Sequence, residues 1–294
     1  MMKQQNPIHY LRFSFLFLTV FINFNCQEKK ISPTKGYLKA YADESVYNLI
    51  LKEKDAFDSL YTEAKIEVEP LTAREGIARI LNNEIKLFIC SRDFNKEEIE
   101  FIKQKKSDLQ SFKFCYDAVV AIVSKNNSLT EIKLSDLKKA LLGEKKDITV
   151  YLPQKNSGVY EFLKNEILGG KEFSSSVRVI ESEFNVKEQI LKNKNAIGLI
   201  GLNILKDTSG VTLLKIGYAR NPLEPEIFYQ PHQAYMINSS YPLTRTIYAL
   251  SNEIGLGLAS GFVTYMTSYP GQEIVKNSNL GPAAIPVKLT SGQK

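Results

Sequence analysis

Four short turns in this 294-residue sequence combine hydroxyls, backbone amides and charge in a way that suits a small oxyanion. They are Ala42-Asp43-Glu44-Ser45-Val46, Leu71-Thr72-Ala73-Arg74-Glu75-Gly76, Cys90-Ser91-Arg92-Asp93 and Lys155-Asn156-Ser157-Gly158-Val159. A tetrahedral oxyanion needs several hydrogen-bond donors in fixed directions. The first amides of a helix have no partner within the helix and sit at the positive end of its dipole. Ser45, Thr72, Ser91 and Ser157 add hydroxyls, Gly158 and Val159 add amides, and Arg74, Arg92 and Lys155 add positive charge. Asp43, Glu75 and Asp93 are candidate proton acceptors. Hydrogen phosphate has a proton to donate and sulfate has none, so a buried carboxylate separates the two. Taken singly, each turn is an ordinary helix cap, and Thr72 with Glu75 reads as a capping box. Their recurrence at the ends of strands points to a ligand, because parallel sheets bind ligands at the carboxyl ends of their strands.

The elements that would position these turns alternate along the chain. Strand character is expected at 37–41, 66–70, 86–90 and 118–123. Helices are expected at 46–61, with Val46, Leu49, Ile50, Phe57, Leu60 and Tyr61 on one apolar side, at 73–83, and at 96–106 behind the cap Asn95 with Glu98. A second series follows. A helix opens at Ser135 and ends at Gly143. A strand at 149–152 leads to a helix at 158–168, which Gly169-Gly170 stops. Strands at 178–181, 196–201 and 211–216 frame another helix that starts at Asn185. From His232 the chain returns through 234–237 to the run after Tyr241. Strand, helix, strand order gives parallel sheets with right-handed crossovers, hence an α/β protein.

Composition is that of a globular chain, 44% hydrophobic with formal charge +6, and +4 once Lys3 and Arg12 are removed with the leader. The Lys pairs come without an aromatic-basic recognition motif, so no nucleic-acid partner is expected. Lys3, His9 and Arg12 precede an apolar run at 13–22 that is too short for a comfortable membrane span and ends at Phe24-Asn25-Cys26. This is similar to a bacterial lipoprotein signal, with Cys26 lipidated after cleavage, although Asn23 and Asn25 stand where small residues are usual. Residues 27–35 read as a polar tether. Cys90 and Cys115 lie in apolar contexts; they could pair in an oxidising compartment, and two buried free thiols is the plainer reading. There is no metal-ligand spacing, so no metal or cofactor is expected. Catalysis is not expected either. Ser157 lacks the G-x-S-x-G setting of a nucleophile elbow, and His232 alone remains beyond the leader as a base.

The stretch from Tyr241 to Pro282 carries a run of motif words. Tyr241-Pro-Leu-Thr-Arg245 leads into an apolar segment. Gly257 to Ser268 reads as a helix, Pro270 opens a second helix over 271–276, and Gly281-Pro282 ends it. This resembles the C-terminal segment of the phosphate ABC-transporter substrate-binding proteins (PstS-like), members of the type II periplasmic binding protein superfamily. The resemblance implies a two-lobed α/β fold with mixed, mainly parallel sheets, helices on both faces and two crossover strands. Lobe one would be 33–123 plus 232–294, and lobe two 124–231. It also implies that the four turns are ligand loops, with Ser45, Thr72 to Gly76, Ser91-Arg92 and Ser157-Gly158 matching them in turn. The chain would be a monomer tethered in the cell envelope or periplasm. It would trap inorganic phosphate between the lobes and dock on an ABC permease. Two departures leave other cargoes open, such as molybdate, sulfate or an organic anion, and leave open a role in sensing or adhesion. Pro153 stands where the family usually carries an Arg, and Val159 stands where a Thr would add a hydroxyl.

Overall fold

The computed structural model describes residues 31–284, with 206, 222 and 254 excepted. The leader and Cys26 lie outside the described residues. The body that begins at Ser32 is one compact unit. No helix among the described residues is long and apolar enough to cross a membrane.

The first half alternates as expected: β1 (Gly36–Asp43), α1 (Tyr47–Leu60), β2 (Ala64–Leu71), α2 (Ala73–Leu81), β3 (Leu87–Cys90), α3 (Lys96–Lys105) and β4 (Gln110–Ser124). The second series is β5 (Glu131–Lys133), α4 (Leu134–Leu141), β6 (Thr149–Pro153), α5 (Gly158–Phe162), β7 (Arg178–Ile180), α6 (Val186–Lys192), β8 (Ala196–Gly201), β9 (Val211–Leu213), β10 (Lys215–Tyr218) and β11 (Ile227–Tyr229). The return comprises α7 (Gln233–Ile237), β12 (Thr244–Ser251), α8 (Leu258–Thr267), α9 (Tyr269–Asn277) and β13 (Gly281–Pro282).

The sheet is mixed. β2, β1 and β3 are parallel, β12 is antiparallel to both β3 and β4, and β6 runs parallel to β7 and β8. β4 serves both ends of the sheet. Residues 110–118 pair with β12, and residues 119–124 pair with β8 and β9. A β1 half and a β6 half lie on either side of this change of partner.

The single strand expected at 211–216 is two strands. Leu214 is buried and its N–H donates to the Ala121 carbonyl at 2.8 Å. There the chain leaves β4, and β10 pairs instead with β5 and β11 in a separate small sheet. A run of uniform β propensity does not announce such a switch of partner.

The apolar faces close distinct clusters. In the β1 half, Phe57 of α1 is fully buried, with ring centroids 5.3 Å from Phe262 and 5.4 Å from Tyr265 of α8. Burying each such side chain is worth about 1.5–3 kcal/mol. The β6 half buries Val119 to Val123 with Leu137, Leu152, Val159, Leu163, Ile190 and Leu199. α8 and α9 occupy the expected C-terminal helical pair, with Pro270 in the first turn of α9, where its missing N–H costs nothing. Gln272 ties them down: its Nε2 donates to the Phe114 carbonyl at 3.0 Å and the Met266 carbonyl at 2.9 Å.

Candidate functional site

β1 and β3 are adjacent parallel strands, so Asp43 and Ser91 leave the same edge of the sheet at their carboxyl ends. Asp43 is fully buried and its carboxylate accepts from the Ser45 N–H at 3.2 Å and the Ser91 hydroxyl at 2.7 Å. Ser45 is also buried, in the single helical turn Glu44–Val46 before α1.

The opposite wall comes from the β6 half. Ser157 caps α5, its Oγ accepting from the Tyr160 N–H at 3.2 Å. Gly158 follows, and a Cβ placed there would lie 1.9 Å from Ser91 Oγ and 2.0 Å from Asp43 Oδ2. Only a glycine lets the α5 backbone approach the Asp43–Ser91 pair this closely. Gly201 does the same at the end of β8. Its Cβ would lie 2.7 Å from Arg245 Nη2, 3.0 Å from Glu183 Oε1 and 3.2 Å from Ser45 Cβ.

Three charged residues absent from the turns complete this centre. Arg245 of β12 donates from Nε and Nη2 to Asp117 Oδ2 of β4, at 3.0 Å and 2.6 Å, and both side chains are buried. Burial raises the Asp117 carboxyl, and the guanidinium opposes that rise. Glu183 Oε1 accepts from the Gly201 N–H at 2.5 Å. Burial pushes the Glu183 carboxyl up to about 8; Arg245 opposes the shift and Asp43 and Asp117 add to it. Buried polar groups almost always find partners. Yet Ser45 Oγ, Arg245 Nη1, Asp117 Oδ1 and Glu183 Oε2 are buried with no hydrogen-bond partner among the described residues. Donors and acceptors with capacity to spare thus lie around Gly201.

The remaining expected residues sit around this centre. Thr72 caps α2, accepting from the Glu75 N–H at 3.3 Å, and Glu75 is exposed in an ion pair with Arg79. Arg74 reaches the fourth turn, its N–H donating to the Asn156 carbonyl at 3.4 Å. Arg92 grips Glu98 through Nη1 and Nη2 at 2.8 Å and 2.9 Å, and its Nε donates to Glu161 of α5 at 3.0 Å. Asp93 is exposed and accepts from the Phe94 N–H. Lys155 is exposed, and Val159 is packed in the core of the β6 half. Ser45, Ser91, Ser157, Gly158 and Asp43 are therefore drawn together, with Arg74 and Arg92 linking the two halves, while Asp93 and Lys155 face solvent. Cys90 and Cys115 are buried free thiols, on strands separated by β12.

The sequence offered a signal for two of the additional groups. Asp117 is an acid that directly precedes the apolar run Ala118 to Val123, and Arg245 ends the Tyr241-Pro-Leu-Thr-Arg245 run. Glu183 had none, since an acid just before a helix reads as a favourable charge at its first turn.

Comparison with known proteins agrees with this architecture. The phosphate-binding protein PstS of Borreliella burgdorferi is 26% identical over 249 residues, covering 75% of this chain and 80% of that protein. The Staphylococcus aureus (strain USA300) protein of the same name is 22% identical over 278 residues, covering 89% and 82%. A substrate-binding protein from Clostridium perfringens, solved with bound phosphate, shares the fold with a TM-score of 0.71 at 22% identity, over 84% of this chain and all of that one. The crystal structure of PstS from Borrelia burgdorferi gives 0.55 at 23% identity, over 84% and 99%. The fold is the mixed α/β type II periplasmic binding protein fold. The family profile of the PBP superfamily domain matches residues 28–269, and the chain belongs to that superfamily of periplasmic binding proteins.

Proposed function

We propose that this protein is an extracytoplasmic solute-binding protein that captures inorganic phosphate between two lobes, 33–123 plus 232–294 and 124–231. It hands the phosphate to an ABC permease. The observation that carries this reading is the meeting of Asp43, Ser45 and Ser91 from one half with Ser157, Gly158 and Gly201 from the other, around buried donors with unspent capacity. The names of the relatives support it. In this reading the Ser45 and Ser157 hydroxyls, the Gly158 and Val159 amides and Arg245 donate to the anion, and Ser91 turns its one O–H from Asp43 to the anion when the guest arrives. Asp43 is the acceptor for the hydrogen bond from the phosphate O–H and repels sulfate, leaving a buried charge unpaired against the wrong guest. Thr72, Arg74, Arg92 and Lys155 form the rim, and Glu75 and Asp93 stand outside it as acidic neighbours.

The protein performs no catalysis in this role. It acts as a monomer, held to the membrane by lipid on Cys26 and spaced from it by residues 27–35. Closure shifts an existing open–closed equilibrium, and the permease reads the closed form. Titration calorimetry of the protein freed of ligand, with phosphate, sulfate and molybdate in turn, tests the proposal. Phosphate should bind at micromolar concentration or tighter and exclude sulfate. Equal binding of sulfate, or no binding of phosphate, would refute it.

A further inference from the structure

The buried acid Glu183 belongs to no motif, and its free oxygen points to a role at the same site. Its Oε1 is anchored by the Gly201 N–H. That fixes the carboxyl beside Arg245 and Ser45, both of which lie within contact distance of the Gly201 position. Glu183 is fully buried, and its Oε2, the Ser45 hydroxyl, Arg245 Nη1 and Asp117 Oδ1 are buried there without partners among the described residues.

Charge decides the form in which Glu183 can serve. The groups facing it are Asp43 at the end of β1, Glu44 in the turn before α1, Asp117 on β4 and Arg245 on β12. The Glu183 N–H itself donates to Glu44 Oε2 at 3.4 Å. The one guanidinium faces Asp43 and Asp117 as well as Glu183, and it is already committed to Asp117. An ionised Glu183 would add a further like charge in a site shielded from water, and an arriving anion another still. Like charges at such range strongly favour the protonated acid. A neutral carboxyl held by its Oε1 has one O–H to offer, from Oε2.

We propose that Glu183 binds the guest as a neutral acid, donating a hydrogen bond from Oε2, and so couples capture to protonation of the protein. This rests on the phosphate reading of the same site. The guest is then held by an acceptor, Asp43, and a donor acid, Glu183, from opposite halves. Affinity falls as pH rises and Glu183 ionises. Burial pushes that ionisation up to about 8, so the change falls within an accessible range.

The test is calorimetry with inorganic phosphate between pH 6.5 and 9 on the wild type, Glu183→Gln and Glu183→Ala. Phosphate's own ionisation is common to all three and cancels in the comparison. The expected result is that the ratio of affinities at the two ends is about tenfold larger for the wild type than for Glu183→Gln, one pK unit of coupling being a factor of ten. Glu183→Ala should bind more weakly than Glu183→Gln at pH 6.5, because the amide restores a donor. Should the variants fail to fold, the wild type alone decides. Phosphate binding near pH 8.5, measured in buffers of different ionisation enthalpy, must take up protons, and no uptake overturns the inference. Parallel pH curves with binding intact overturn it while leaving the phosphate reading in place. Absence of phosphate binding by the wild type at every pH removes both.

Discussion

Arg92 Nε lies 3.0 Å from Glu161 Oε2 and joins the turn after β3 to α5. Two of the three guanidinium nitrogens are spent on Glu98 within the β1 half. The fork is therefore fixed on one side, and Glu161 is its partner from the β6 half; under the proposed two-lobe closure this is the bond made when the halves meet. Planar, bidentate anchoring of this kind is particular to Arg.

Arg92→Ala and Glu161→Gln should each favour the open form. Both side chains are mostly shielded, so the loss lies between that of exposed and buried pairs, about 1–2 kcal/mol or five- to thirtyfold in phosphate affinity. Small-angle scattering should show a larger ligand-free radius in both variants. Unchanged affinity in both would mean that the pair plays no part in closure.

Gly158→Ala places a methyl group within 2.0 Å of Asp43 Oδ2 and Ser91 Oγ. Overpacking of this order costs about 1–3 kcal/mol, here set against the closed form, so phosphate should bind roughly five- to a hundred-and-fiftyfold more weakly. Thermal stability of the ligand-free protein should move far less, because opening relieves the clash. Calorimetry showing wild-type affinity would place Gly158 away from the wall in solution.

Asp117 and Arg245 form a buried pair, and removing one partner strands the other charge. Arg245→Met and Asp117→Leu should each cost about 3–5 kcal/mol in urea unfolding, and the two combined should recover much of that loss. Additive losses in the double variant would show that the two side chains are not coupled.

Glu53 on α1 is fully buried with neither carboxyl oxygen partnered among the described residues, and burial pushes it up to about 9. A folded-state value raised above the unfolded one means that this group favours folding fully below the unfolded value. The contribution declines as pH rises towards the folded value. Over that window stability should fall by as much as about 1.4 kcal/mol per pH unit from this group. Glu53→Met should flatten the slope between pH 5 and 9 and raise stability at pH 8. Identical slopes in denaturant unfolding across that range would count against the assignment.

How much of this was legible beforehand depended on range. β1, β3, α1 and α3 announced themselves through local period and caps, and the capping box at Asn95 and Glu98 is present. The strand-end turns were recognisable because Ser, Thr and Gly at helix starts have a local cause. The Glu98–Arg92–Glu161 chain was not, since Arg92 and Glu161 are distant in sequence and each alone reads as solvated charge. Glu183 escaped for the same reason: only the fold brings it to Gly201. The break at Leu214 depends on which strands offer free edges, and no local pattern encodes that.

Gly158 and Gly201 have one more implication. Facings made of bare main chain have no rotamers to adjust, so in the proposed site the space at these two positions is set by peptide geometry instead of by adaptable bulk. A descendant of this protein could change its diet by redistributing protons and charges among Asp43, Glu183 and Arg245, and could hardly do so by enlarging the room.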